Sequence, residues 1–150
     1  MTFNKKLEPL AELVFIAEIV TQSKFAGSAA DQLAKASEPI EVWGSIQSIL
    51  VAAANVSKIL WPVRKKYMER GRRLRELLSI DDRNLLSKRT FRNHFEHYDE
   101  RIEDWFDNNG SGVYSDLRID PFEPSPWSLP QFFHRSYIRP SKRCLFEMNQ

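Results

Sequence analysis

The sequence predicts an all-α fold: an antiparallel four-helix bundle followed by an irregular C-terminal tail rich in Pro and aromatic residues. Three observations carry this. Apolar residues recur at helical spacing over the first two thirds of the chain. Most of the 8 Pro lie after residue 120, where no helix interior would accept them. Gly is scarce, at 5 of 150 residues, which disfavours a many-turned β-sandwich. The composition, 42% hydrophobic and 28% charged, excludes a disordered chain and a membrane-embedded one, and the length suits a single core of its own. The expected organisation is a helical bundle over residues 1–110 and an extended tail, 111–150, packed on it.

The first helix is expected near 8–36, with Leu10, Leu13, Val14, Ala17 and Val20 as its apolar stripe and Gly27 as a weak point. The second spans 39–60. Ser37 is its expected N-cap, Pro39 suits the first turn, and Pro62 stops it by forcing Trp61 out of helical geometry. Apolar nearly all round, it reads as the central helix, and Ala52, Ala53 and Ala54 let a neighbour approach closely. The third is expected over 63–78. Val63, Tyr67, Leu74, Leu77 and Leu78 fall within roughly 100° on a helical wheel, with Arg64, Lys65, Arg72, Arg73 and Arg75 outside that stripe as a basic exterior. The fourth runs over 82–108, starting at an Asp81 or Asp82 cap and stopping at Asn108-Asn109-Gly110. Trp43, Leu50, Leu74, Phe95 and Ile102 are expected to be buried. In the tail, Tyr137-Ile138 and Cys144-Leu145-Phe146 flank RPSKR in the manner of a β-hairpin.

A formal net charge of +2 supplies no whole-molecule field for nucleic acid, so any such site must arise from local clustering. The clusters are residues 64–75, where Arg64, Lys65, Arg72 and Arg73 are candidate phosphate contacts, and residues 134–143. One cysteine, Cys144, can form no internal disulfide and no Cys-based zinc site. The N-terminal apolar stretch is broken by Glu8, Glu12 and Glu18, which argues against a signal peptide or a membrane span and for a cytoplasmic protein.

Residues 88–106 are the most informative. Phe91, Phe95, Tyr98, Ile102, Trp105 and Phe106 cluster within roughly 100° on the helical wheel as a core face. Arg92, Asn93, Glu96, His97 and Glu100 share the other side, within about 140° by the same geometry. Such a face could be a solvated one stitched by pairs such as Arg92–Glu96. Two like-charge neighbours, Glu96–Glu100 and His97–Arg101, weaken that reading. His94 and His134 read as structural, and no pair of histidines has a carboxylate suitably placed for a metal.

Arg92-Asn93-His94-Phe95-Glu96-His97 resembles the R-x4-H signature of the HEPN superfamily (higher eukaryotes and prokaryotes nucleotide-binding domains), which carries it on a late helix of a helical bundle. The resemblance covers roughly residues 7–108. It implies a metal-independent, cofactor-free endoribonuclease acting on single-stranded RNA at a homodimer interface, with Arg92 and His97 as the catalytic pair. Asn93 would orient them. Beside them, Glu96 either tunes a neighbouring histidine or pairs with Arg92, and its i,i+4 spacing favours the pair. An antitoxin or another neighbouring-gene product is the implied partner. The chemistry fits the residue types: imidazole moves protons near neutral pH, and guanidinium offers a planar fork to a charged phosphorane. One feature departs from the toxin members, whose tyrosine stands two residues after the His. Here it is Tyr98, directly after His97 and on the apolar stripe, which disfavours nucleotide modification there. The alternative reading is a non-catalytic helical module that binds a nucleotide, RNA or a partner protein through the same face.

Overall fold

The computed structural model describes residues 8–88, 96–108, 116–120 and 135–140. The described chain is mostly helical. It divides into two compact units, Met1–Glu96 and His97–Gln150. The division falls at Glu96, whereas the composition changes near residue 110.

In the first unit, α1 (Pro9–Lys35) starts on a proline at a position where the missing N–H is harmless. It runs unbroken through Gly27, where nothing lies within 4 Å of a would-be Cβ. Its apolar stripe is not the one expected. Leu10, Leu13, Val14 and Val20 are 73%, 64%, 60% and 47% exposed, while Phe15, Ile16 and Ile19 pack inward. The helix carries two apolar stripes on opposite sides. Only the one through Phe15, Ile19, Ala26, Ala29 and Leu33 continues along most of the helix; the other ends at Lys24.

The second helix, α2 (Pro39–Leu60), is the central one. Val42, Ser45, Ala52, Ala54, Val56, Ser57 and Leu60 are buried along it. Its N-cap is Glu38 rather than Ser37, because Glu41 reaches back and accepts from the backbone N–H groups of both Ser37 and Glu38. The short link folds α2 back along α1. Ala29 and Gln32 face Gly44 and Ser48 near the link, Asn55 donates to Gln22 at 3.2 Å, and Phe15 meets the Val56–Leu60 end.

Trp61 leaves the helical region ahead of Pro62. A 3-10 turn (Lys65–Tyr67) follows, then α3 (Met68–Leu77), shorter than the 63–78 helix expected. The bend from α2 is 83°, so α3 crosses the end of α2 instead of folding back beside it. Its Gly71 is a contact point: a Cβ there would stand 2.5 Å from both the Leu60 carbonyl oxygen and Pro62 Cδ. Val56, Leu60 and Leu74 form the core at this crossing, with Phe15, Ile16, Ile19, Leu78, Ile80 and Leu86 packed on it.

Helix α3 ends in a Schellman turn. Ser79 takes a left-handed φ of 53°, its N–H donates to the Glu76 carbonyl, and the Ile80 N–H donates to that of Arg75. No helix starts at residue 82. The Asp81 carboxylate accepts from the Arg83 N–H at 2.7 Å, and the Asn84 side chain accepts from Leu86 N–H to cap a 3-10 turn (Leu85–Ser87). These local bonds compete with helix initiation. Ser57 fastens the turn to α2 by donating to the Leu86 carbonyl at 2.7 Å.

In the second unit, α4 (Tyr98–Asn108) buries Trp105 and half-buries Ile102. Tyr98 and Phe106, expected in the core, are each half exposed, and the Arg135 guanidinium lies 5.7 Å from the Tyr98 ring centre. Strand β1 (Arg118–Ile119) pairs in parallel with β2 (Ser136–Tyr137). Arg135–Asp116 and Arg139–Asp120 ion pairs flank this ladder. Tyr137 therefore pairs with Ile119; residues 144–146, the other arm of the expected hairpin, lie outside the described residues. Of the expected core, Leu74 is fully buried, Trp43 and Leu50 are half-buried, and Phe95 lies outside the described residues. Among the described residues no single helix is long and apolar enough to cross a membrane.

Two glycines should respond oppositely to an added methyl. Gly71→Ala drives a Cβ into backbone and should cost about 2 kcal/mol or more. Gly27→Ala enters open space in a helix interior and should gain about 0.5–1 kcal/mol. Urea denaturation with circular dichroism measures both.

Candidate functional site

Arg92, Asn93 and His94 lie outside the described residues. Of the expected motif, Glu96 and His97 are described, each with a partner that residue spacing did not suggest. Glu96 pairs with Lys58, which the last turn of α2 carries. His97 Nδ1 lies 3.1 Å from Glu100 Oε1. A carboxylate only accepts, so this bond requires a proton on Nδ1, and in the neutral imidazole Nε2 is then the accepting nitrogen. His97 is exposed. The like-charge neighbours Glu96 and Glu100 thus each meet a cationic or proton-bearing group within the chain.

The four candidate phosphate contacts separate into two kinds. Arg72 is held by Glu69 and Glu76 on its own helix, which keep its guanidinium firmly charged. Glu69 is correspondingly pushed below the usual carboxylate range by the hydrogen bond from Arg72. Arg73 bonds Glu12 of α1 at 3.0 Å. Both are largely neutralised. Arg64 and Lys65 are exposed and have no ion pair among the described residues. Arg75, expected on the basic exterior, turns inward: it donates to the Leu60 carbonyl, pairs with Asp82 at 2.7 Å, and its guanidinium lies 5.6 Å from the Trp61 ring centre.

Lys58, Tyr67 and Arg70 join Arg64 and Glu96 around a cavity of about 300 Å³. None of the three stood out in the sequence as a site residue. Arg70 donates to the carbonyls of Lys58 and Ile59 at 3.2 and 3.5 Å, groups that the end of α2 would otherwise leave without partners. Its guanidinium sits between Phe15, 4.7 Å from the ring centre, and Tyr67, at 5.2 Å. Its Nε is buried with no hydrogen-bond partner among the described residues, and desolvation lowers its pKa. The Tyr67 hydroxyl is also lowered, first by the hydrogen bond and charge of Lys66 and then by Arg64 and Arg70. The available signal was the i,i+3 pair Tyr67–Arg70 one turn beyond a helix-ending proline.

Among the described residues no three His, Cys, Asp or Glu side chains gather in a way that could hold a metal ion. Comparison with family models, with curated proteins and with solved structures finds no match to this chain.

Tyr67 should ionise below the ordinary phenol value, and Lys66→Met should move it back up. Ultraviolet titration of the two proteins, each beside its Tyr67→Phe control, reads the change; identical titration curves would remove the Lys66 contact.

Proposed function

We propose that this chain is a metal-independent endoribonuclease of the HEPN type that cleaves single-stranded RNA as a homodimer. The observation that carries the reading is the His97–Glu100 bond at 3.1 Å. When the exposed imidazole is neutral, a carboxylate on Nδ1 selects the tautomer whose Nε2 accepts a proton, the arrangement a general base needs. In this reading Arg92 neutralises charge on the phosphorane, Asn93 orients the pair, and Glu96 supports from the Lys58 side. RNA brings its own nucleophile: His97 takes the proton of a 2′-OH, the 2′-oxygen attacks phosphorus, and the 5′-oxygen leaves with a proton. The products end in 2′,3′-cyclic phosphate. An antitoxin or other neighbouring-gene product is the expected regulator.

The outward stripe of α1 supports association. Four large aliphatic side chains in a row on one helix face make an apolar patch of the kind that marks an interaction surface. In the ribonuclease reading a second copy covers it. The same stripe favours the second reading, a non-catalytic helical module whose partner is another protein.

Incubation with total RNA in EDTA decides between them. Wild type should cleave, His97→Ala should lose cleavage while keeping its circular dichroism spectrum, and Arg92→Lys should fall about 10²–10³-fold for want of the planar fork. Glu100→Gln should retain cleavage at a reduced rate. Activity that survives His97→Ala, or that needs magnesium, removes these residues from the mechanism; no cleavage of any RNA leaves the binding module.

A further inference from the structure

From the cavity between the end of α2 and the start of α3, we infer a phosphate-binding pocket formed by Lys58, Arg64, Tyr67 and Arg70, in which the Glu96 carboxylate occupies the anion position until a phosphate displaces it. The argument begins with the ion pairs. On α3, Arg72 is balanced by Glu69 and Glu76, Arg73 by Glu12 and Arg75 by Asp82. Beside these balanced arginines, Lys58, Arg64 and Arg70 together line one cavity, and Lys66 sits 4.6 Å from the ring centre of Tyr67, which lines it too. Glu96 is the carboxylate among the lining residues. Three cations face one anion.

The geometry suits a tetrahedral oxyanion. Arg70 cannot swing away, because its guanidinium is held by two α2 carbonyls and flanked by two aromatic rings. It therefore contributes a fixed, partly desolvated positive charge behind the pocket, where screening by water is weakest. Arg64 and Lys58 are exposed, and they offer a planar fork and a point charge respectively. The Tyr67 hydroxyl adds a neutral donor. A volume of about 300 Å³ stands at the lower end of small-ligand pockets and admits a phosphate together with part of the group it esterifies.

Glu96 explains how such a pocket stays stable when empty. Its pair with Lys58 is exposed on both sides, 52% and 36%, and exposed pairs contribute little net stability. An incoming phosphate, with more charge and more acceptor oxygens, displaces the carboxylate at small cost. The inference concerns the first unit alone and does not depend on catalysis at His97.

Isothermal titration with inorganic phosphate against sodium chloride of equal ionic strength tests it. Wild type should show saturable phosphate binding that chloride does not reproduce. Arg64→Gln and Lys58→Gln should each weaken it roughly tenfold or more, the worth of one charge-assisted contact. Glu96→Gln should tighten it several-fold by removing the resident anion. A single-stranded oligoribonucleotide forms the second arm: binding that phosphate competes away and Arg64→Gln abolishes makes the ligand a strand phosphate, whereas binding of inorganic phosphate alone makes it a free one. The variants lie on exposed side chains, and a preserved circular dichroism spectrum verifies their fold. Equal response to phosphate and chloride, or a Glu96→Gln protein that binds phosphate no tighter than wild type, overturns the assignment.

Discussion

The last carbonyls of α2 organise the first unit. A helix that ends at a proline leaves its final carbonyl groups without partners, and here they point toward α3. Arg70 and Arg75 answer them, the first at Lys58 and Ile59 and the second at Leu60. Each carries positive charge to the negative end of the α2 dipole, so hydrogen bonding and electrostatics act together. Gly71, between the two arginines in sequence, has no side chain to keep the backbones apart. Remove the glycine and the arginines lose their reach; remove the arginines and the carbonyls have no partners in a half-buried junction. Leu74 then drops into the core beside Leu60 and Val56. The 83° bend is the geometry that satisfies all of these at once.

That junction also creates the cavity. Two arginines aimed at backbone carbonyls cannot also pair with carboxylates on all their donors, and Arg70 leaves Nε buried without a partner among the described residues. The cost of desolvating a cation is offset partly by Phe15 and Tyr67, whose ring faces attract it. The positive charge at the crossing is therefore a by-product of how α2 is terminated, and Lys58 and Arg64 add to it because the chain turns there. Structure and potential have one cause.

Much of the fold was legible where local chemistry is strong. Pro39 and Pro62 bounded α2, and its all-round apolar character identified the central helix. The third helix was found but drawn too long, because Val63 and Tyr67 share the wheel position of Leu74 while Pro62 and a 3-10 turn use those residues to make the bend. The α1 stripe was misjudged for a different reason. Two apolar faces compete on that helix, and only the length of contact with α2 decides between them, which is tertiary information. Asp81, read with Asp82 as a cap of the fourth helix, instead accepts from Arg83 in a turn that opens no helix. At the site, Glu96 and His97 could be singled out from the motif, whereas Lys58, Tyr67 and Arg70 could not. Arg70 looked like one of several basic side chains on a helix; that it meets the Phe15 ring as well as the Tyr67 ring depends on where α1 passes.

Magnitudes separate the ion pairs by what they do. Arg75–Asp82, Arg73–Glu12, Arg135–Asp116 and Arg139–Asp120 each keep one side chain largely out of water, at 17%, 15%, 14% and 7% exposure. Breaking such a pair strands a half-buried charge, so these are structural. Arg72 with Glu69 and Glu76 is exposed, but its i,i+3 and i,i+4 spacing supports the helix that carries it. Lys58–Glu96 fits neither description: it joins two distant segments, both partners are exposed, and its net worth to folding is small. His97–Glu100, at 54% and 69% exposure, fixes a proton on one ring nitrogen without burying either group. Arg83–Asp81 is more exposed still, at 91% and 60%, but it spans two residues within one turn, whereas Lys58–Glu96 ties segments far apart in sequence.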